Sequence, residues 1–244
     1  MTAPRGRPGP GHNRLLTMLP QPTRTQLESL MTPRHFALGQ TILHQGDPIT
    51  TVVFPTTCVL SLVVRMEDGA SVEAAPVGFE GVSNVSLVLG ERESQYEVTI
   101  QGEGDGLEIA ADDLVRLADE DRALTDVLLR FAQVQMVQAS RSAACNRVHE
   151  VEERMARWLL HMHDWIQEDC LKLTHEFLAI MLGVRRSTVT VAAGALQNAG
   201  LISYRRGEVT ILDREGLEDV ACEDYEVVRE AFERLLRLPA SAAN

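Results

Sequence analysis

The sequence predicts an α+β protein built from an N-terminal antiparallel β-roll, a long connecting helix and a C-terminal winged helix-turn-helix. Three observations carry that reading. Short apolar runs separated by turn residues fill the stretch from Phe36 to about Ile109. The segment from Asp121 to Cys145 contains neither Gly nor Pro. A basic pattern of helix, turn, helix and hairpin lies between Leu171 and Ile211.

The β-type runs are Thr41-Ile42-Leu43, Thr51 to Phe54, Val59 to Val64, Val72-Glu73-Ala74 and Glu97 to Ile100. Gln45-Gly46-Asp47-Pro48, Glu67-Asp68-Gly69 and Gly102-Glu103-Gly104-Asp105-Gly106 punctuate them as turns. Strands at this spacing fold as an antiparallel sandwich or barrel, here over residues 20–118. Ahead of them, residues 1–19 carry Arg5, Arg7 and Arg14 among Pro and Gly without a following apolar segment. That composition predicts a flexible tail and no signal peptide.

Asp112-Asp113 are placed to cap a helix through Leu114 and Leu117, and the long helix follows over residues 119–146. Leu124, Leu128 and Phe131 make one apolar stripe on it, suited to the sandwich. Leu129, Ala132, Met136, Ala139 and Ala143 make a second, rich in small side chains, which is the expected homodimer interface. The next domain, residues 147–212, opens with an amphipathic helix from Val148 to about Glu168. Val151, Met155, Trp158, Leu159, Met162 and Trp165 form its apolar side, and its other face is charged. Residues 213–244 are acidic, and Leu217, Val220, Tyr225, Val228, Phe232 and Leu235 predict an accessory helix packed on one side before a polar tail.

Charge is distributed unevenly. The chain holds 23 basic and 35 acidic side chains for a formal charge of -12, which argues against indiscriminate binding of polyanions. Between Leu171 and Arg206, however, Lys172, Arg185, Arg186, Arg205 and Arg206 face the lone acid Glu176. Local basicity of this kind is the footprint of phosphate contact.

The local pattern agrees with the charge. Thr174 is placed to cap a helix from His175 to Leu182, and Gly183-Val184 makes a sharp corner because Gly tolerates positive φ. Ala179 leaves room for a crossing helix. That second helix runs from about Arg186 to Ala199, buries Val189, Ala192 or Ala193 and Leu196, and ends at Gly200. Arg185, Arg186, Ser187, Thr188, Thr190 and Val191 would face DNA in the major groove, and Thr174 joins them as a candidate DNA-binding residue. Arginine can donate two hydrogen bonds to guanine O6 and N7, Ser and Thr can reach phosphate or base edges, and Val191 can touch a thymine methyl. Leu201 to Ile211 then reads as a wing, with Arg205 and Arg206 along the backbone phosphates.

The order of elements from roughly Leu30 to Ile211 resembles the Crp/Fnr superfamily of bacterial regulators. Leu173-Thr174 through Val184-Arg185-Arg186-Ser187-Thr188-Val189 to Ala199-Gly200-Leu201-Ile202 is similar to that family's winged helix-turn-helix. Thr41 to Asp47 looks like the first hairpin of its cyclic-nucleotide-binding jelly roll, and Gly78-Phe79-Glu80-Gly81 sits where its phosphate cassette begins. The resemblance implies a cytoplasmic homodimer whose recognition helices enter successive major grooves of double-stranded DNA, about 34 Å apart, on a palindromic operator. It also implies an unknown small-molecule effector at the β-roll and RNA polymerase as a further partner. Arg186 would take a base-contacting place.

Gly78, Glu80, Gly81 and Arg92 are the candidate effector residues. Cyclic-nucleotide binders follow the Gly-Glu element with an Arg-Ser/Thr pair that neutralises the phosphate. Here Ser94-Gln95-Tyr96-Glu97 stands in that place and Arg92 lies between Glu91 and Glu93, so cyclic nucleotide is not expected. Haem needs only one axial ligand, so His44, His149, His161 and His163 leave it compatible with the sequence.

Other functions find less support. Cys58, Cys145, Cys170 and Cys222 form no Cys-x-x-Cys pair, and the expectation is reduced thiols with no metal site and no cofactor. His175-Glu176 lacks the second zincin His, and neither a Gly-x-Ser-x-Gly elbow nor a phosphate-binding P-loop is present, so no enzyme is expected. No apolar run approaches the ~18 residues of a membrane span. The competing reading is a ligand-, haem- or metal-sensing β-roll whose helical part serves protein interaction.

Overall fold

The computed structural model describes residues 11–236. In chain order the elements are α1 (Arg14–Met18), α2 (Gln21–Glu28), β1 (Thr32–Phe36), β2 (Thr41–Leu43), β3 (Thr51–Pro55), β4 (Val59–Arg65) and β5 (Ser71–Val77). A short 3-10 helix (Val85–Leu89) precedes β6 (Glu97–Gly102) and β7 (Gly104–Ala110). Then come α3 (Ala111–Glu120), α4 (Arg122–Val148), α5 (Val151–Ile166), β8 (Cys170–Lys172), α6 (His175–Leu182) and α7 (Arg186–Asn198). Strands β9 (Ile202–Arg205) and β10 (Glu208–Ile211) and helices α8 (Arg214–Val220) and α9 (Asp224–Leu235) complete the order. The chain forms two compact units, one of residues 11–60 and 77–133, the other of Ser61–Pro76 and Val134–Arg234.

The first unit is the antiparallel roll. One sheet has the order β1-β7-β3, and the other has the order β2-β6-β4-β5, with its outer hairpin 61–76 assigned to the second unit. Phe54, Leu60, Ile100, Ile109, Leu114 and Phe131 are among its fully buried side chains. Three expectations change here. Residues 14–18 form a helix, not a flexible tail, because Leu15, Leu16 and Met18 are buried and Asn13 accepts hydrogen bonds from the Leu15 and Leu16 amides; residues 1–10 lie outside the described residues. Gly104-Asp105-Gly106 is strand, not turn, because it pairs with β1 from Phe36↔Gly104 to Arg34↔Gly106; glycine stands at 104 because a Cβ there would lie 2.7 Å from the Cys58 nitrogen. The third change concerns α3, whose N-cap is Ala110, with Asp112 and Asp113 in the first turn favouring the helix dipole and not capping it.

Strand β1 has no apolar alternation and contains Pro33, yet it pairs with β7 from Thr32↔Glu108 to Phe36↔Gly104. Cross-strand ion pairs, Arg34 with Glu108 at 2.6 Å and His35 with Asp105 at 2.8 Å, replace the apolar face. The long helix begins after a break at Asp121, whose carboxylate accepts from the Ala123 amide at 2.8 Å and from the Thr23 hydroxyl at 2.5 Å. The Thr23 hydroxyl, with the Ala123 and Leu124 amides, holds the Asp121 carboxyl below its ordinary range.

In the second unit α5 is central and packs on α6, α7 and α8. The expectation of a charged outer face on α5 does not hold. Arg154, Arg157 and His161 are buried along with Met155, Trp158, Leu159 and Met162. The Arg154 guanidinium donates to the Leu182 carbonyl, which is how a buried cation is accommodated at the end of α6. The acidic C-terminal stretch forms two helices, not one; Ala221 is extended between them, and residues 237–244 of the expected tail lie outside the described residues.

His161 stacks on Trp165 at 5.5 Å and lies against Tyr225 at 5.1 Å. Burial, with Arg157 and Arg214 adding repulsion, pushes its pKa down from 6.5 to about 3. The unfolded chain therefore takes up this proton near pH 6.5 while the folded chain refuses it, so stability is full above 6.5 and is lost as pH falls toward 3. At pH 5 the loss is about 2 kcal/mol. Thermal melts of His161→Phe should show a flatter decline of Tm between pH 7 and 5 than the parent; parallel declines would exclude His161 as the source.

Candidate nucleic-acid interface

The second unit holds the expected hairpin of helices. Thr174 accepts from the Phe177 amide at 3.1 Å and starts α6. Gly183 then turns left-handed at φ 60, and the Val184 amide closes back on the Ala179 carbonyl at 3.0 Å. The turn sets α6 and α7 100° apart, within the ~90–120° of helix-turn-helix motifs. A Cβ at Gly183 would meet Val72 at 3.3 Å, so the corner needs glycine for both backbone and space.

Helix α7 buries Val189, Ala192, Ala193 and Leu196, so both alanines are core. It ends as the Gly200 amide donates to the Gln197 carbonyl and the Leu201 amide to Leu196, each at 3.0 Å. Its opposite face is open. Arg185, Arg186, Ser187, Thr190 and Val191 are exposed, Val191 by 67%, and Thr188 is half-buried. Thr190 is engaged locally, donating to the Arg186 carbonyl and meeting His175 Nδ1, both at 3.1 Å. His175 packs on Tyr204 at 4.5 Å, and burial together with Arg186 lowers its pKa. The Tyr204 hydroxyl donates to the Leu173 carbonyl at 2.9 Å, joining hairpin to helices.

The wing is a three-stranded sheet in the order β8-β10-β9. Register places Arg205 opposite Glu208, leaving the two-residue loop Arg206-Gly207 with φ 52 and 82. Both values are positive, as a type I′ turn requires, so Arg206 is held at the tip in a conformation disfavoured for its side chain. Strand β8 escapes sequence reasoning because three residues are too few to show alternation.

Among the described residues, Lys172, Arg185, Arg186, Arg205 and Arg206 make no ion pair with a carboxylate, while arginines such as Arg34, Arg116, Arg122 and Arg229 do. All five are exposed. One end of α7 and the tip of the wing thus carry uncompensated positive charge on an acidic protein.

Of the candidate effector residues, Gly78, Glu80 and Gly81 share one turn, closed by the Gly81 amide on the Gly78 carbonyl at 3.0 Å. The Gly78-Gly81 turn is covered by α1: Asn13 donates to the Gly81 carbonyl at 2.7 Å, the Arg14 amide to Phe79 at 2.6 Å, and Arg14 lies 3.8 Å from Glu80. A Cβ on Gly81 would fall 2.4 Å from the Phe131 ring. Arg92 instead reaches Asp112 at 3.3 Å on an exposed surface. Along Ser94 to Glu97, Asn84 donates to Ser94 at 3.1 Å and Glu97 is buried 3.4 Å from His44. Arg92, the one arginine beside this stretch, is turned to Asp112, and Glu97 is a buried carboxylate.

On α4, Leu129, Met136, Ala139 and Ala143 are exposed, Met136 by 63%, whereas Ala132 is buried in its own chain. No single helix among the described residues is long and apolar enough to cross a membrane.

The folded chain has the architecture of the Crp/Fnr transcription regulators, and residues 153–220 match the Crp-like helix-turn-helix domain. FixK2 from Bradyrhizobium japonicum is similar in structure with TM-score 0.67 at 15% identity, over 79% of this chain and 98% of that one. A transcriptional regulator of the Crp/Fnr family from Eubacterium rectale gives TM-score 0.65 at 22% identity, over 84% and 96%. A CRP-family transcriptional regulator from Thermus thermophilus gives 0.66 at 21%, over 77% and 96%. No curated protein matches the sequence. Residues 153–220 thus form a Crp-like helix-turn-helix domain.

Gly81→Ala should lower stability by about 1–3 kcal/mol in chemical denaturation, because Phe131 is overpacked. Adding Phe131→Leu should restore part of the loss; a neutral Gly81→Ala would contradict the close approach.

Proposed function

We propose that this protein is a sequence-specific DNA-binding regulator that acts in the cytoplasm as a homodimer on a roughly palindromic operator. The observation that carries the reading is the exposed, unpaired Arg185-Arg186 pair at the N-terminal end of α7, with Arg205 and Arg206 at the wing. Arg186 reads a base edge, and Ser187, Thr188, Thr190 and Val191 line the same groove-facing side. Arg205 and Arg206 contact phosphates. The exposed Leu129, Met136, Ala139 and Ala143 of α4 support pairing with a second copy, which brings two recognition helices to successive major grooves about 34 Å apart.

The roll works without cyclic AMP in this reading. The covered Gly78-Gly81 turn, Phe131 against Gly81 and the buried Glu97 support that view. Effector and RNA polymerase contacts belong to surfaces other than the cassette.

Arg186→Ala should relax base preference at one position per half-site and cost about 1–3 kcal/mol on the preferred operator. Arg205→Ala should weaken every sequence about equally and reduce the slope of affinity against salt by about one. Binding to randomised operator libraries at several salt concentrations separates the two. Equal losses with unchanged preference would contradict the division of labour.

A further inference from the structure

Cys145 near the end of α4, His149 just after it, Cys222 between α8 and α9, and Asp224 at the start of α9 converge in the second unit. The two thiols are 77 positions apart in the chain, and their Sγ atoms lie 3.4 Å from each other. One donor atom from each of the four residues falls within 4.8 Å of every other. Cys145, Cys222 and Asp224 are buried, and His149 is half-buried.

The histidine is oriented as a ligand. Its Nε2 lies 3.1 Å from the Glu223 carboxylate, a contact that holds the ring and suits the neutral tautomer with its proton on Nε2. In that tautomer Nδ1 presents a lone pair to the cluster. It is buried, has no hydrogen-bond partner among the described residues, and sits 3.6 Å from Asp224 Oδ2, beyond hydrogen-bond reach. A buried unpartnered nitrogen is costly unless something accepts its electron pair.

We propose that Cys145, His149, Cys222 and Asp224 form a binding site for a divalent transition metal of the zinc type. Tetrahedral zinc, with bonds of about 2.3 Å to sulfur and 2.0 Å to nitrogen or oxygen, sets its ligand atoms about 3.3–3.8 Å apart. The sulfur pair at 3.4 Å and the nitrogen–oxygen pair at 3.6 Å stand within about 0.4 Å of their tetrahedral spacings of about 3.8 and 3.3 Å, an adjustment that side-chain rotation supplies. Two thiolates and one imidazole select zinc, or cobalt as its spectroscopic substitute, over magnesium or calcium. Two thiolates and a carboxylate leave one excess negative charge around a divalent ion. Arg157, which acts electrostatically on both thiols, and Arg141, 3.4 Å from Asp224 Oδ1, offset it. Loading exchanges the two thiol protons for metal–sulfur bonds and releases them to solvent, with no redox change. Metal would tie the end of α4 to the start of α9.

The test is cobalt titration of the full-length protein, kept reduced by a phosphine. One cobalt per chain with sulfur-to-metal charge-transfer absorption, tetrahedral visible bands and two protons released is expected. Cys145→Ser and Cys222→Ser should abolish the charge-transfer bands. Glu223→Gln changes only the exposed partner of His149, keeps the fold, and should weaken binding about 10- to 100-fold. Folded, fully reduced protein that takes up no cobalt would overturn the site, as would undiminished sulfur-to-metal absorption in both serine variants.

Discussion

The left-handed turn at Gly183 is the constraint on which the DNA-binding end of the molecule depends. With φ at 60 and Val72 3.3 Å from where a Cβ would stand, the position accepts glycine alone without strain. The turn bends the chain 100° between α6 and α7. Only then can Val189, Ala192, Ala193 and Leu196 enter the core while Arg185, Arg186 and Val191 stay outside. Thr174 fixes the start of α6, and the amides of Gly200 and Leu201 close the end of α7. The helix is thereby held at both ends, as the proposed base reading requires of a side chain placed before DNA arrives.

Charge gives the same surface its chemistry. A chain with net charge -12 repels a polyanion at a distance, so attraction must come from cations that no carboxylate neutralises. Most arginines outside this surface that lie on helices or strand edges are spent on neighbours, as in Arg122 with Asp126 at 2.7 Å. The arginines at the start of α7 and at the wing tip are not. Overall acidity with a local basic face favours binding at defined positions over loose coating of DNA.

Legibility in the sequence followed local chemistry. The cap at Thr174, the corner at Gly183, the core of α7 and the wing were all readable because each depends on residues within about five positions of one another. Elements fixed by distant partners were not readable. Strand β1 looks polar because its pairing relies on Glu108 and Asp105, and the burial of Arg154 depends on a carbonyl 28 residues away. The contacts of Asn13 and Phe131 with the Gly78-Gly81 turn, from 68 and 50 positions away, were likewise beyond local reading. The cysteines gave no metal signal because Cys145 and Cys222 meet only after α8 folds back on α5.

Methylation interference on a bound operator tests the central claim most directly, since a methyl on guanine N7 blocks the acceptor that an arginine at the start of α7 would use. Interfering guanines should fall in two clusters one helical turn apart, and the effect at one guanine in each should vanish with Arg186→Ala. Uniform binding whatever guanine is methylated, or clusters unchanged by that substitution, would contradict base reading by α7.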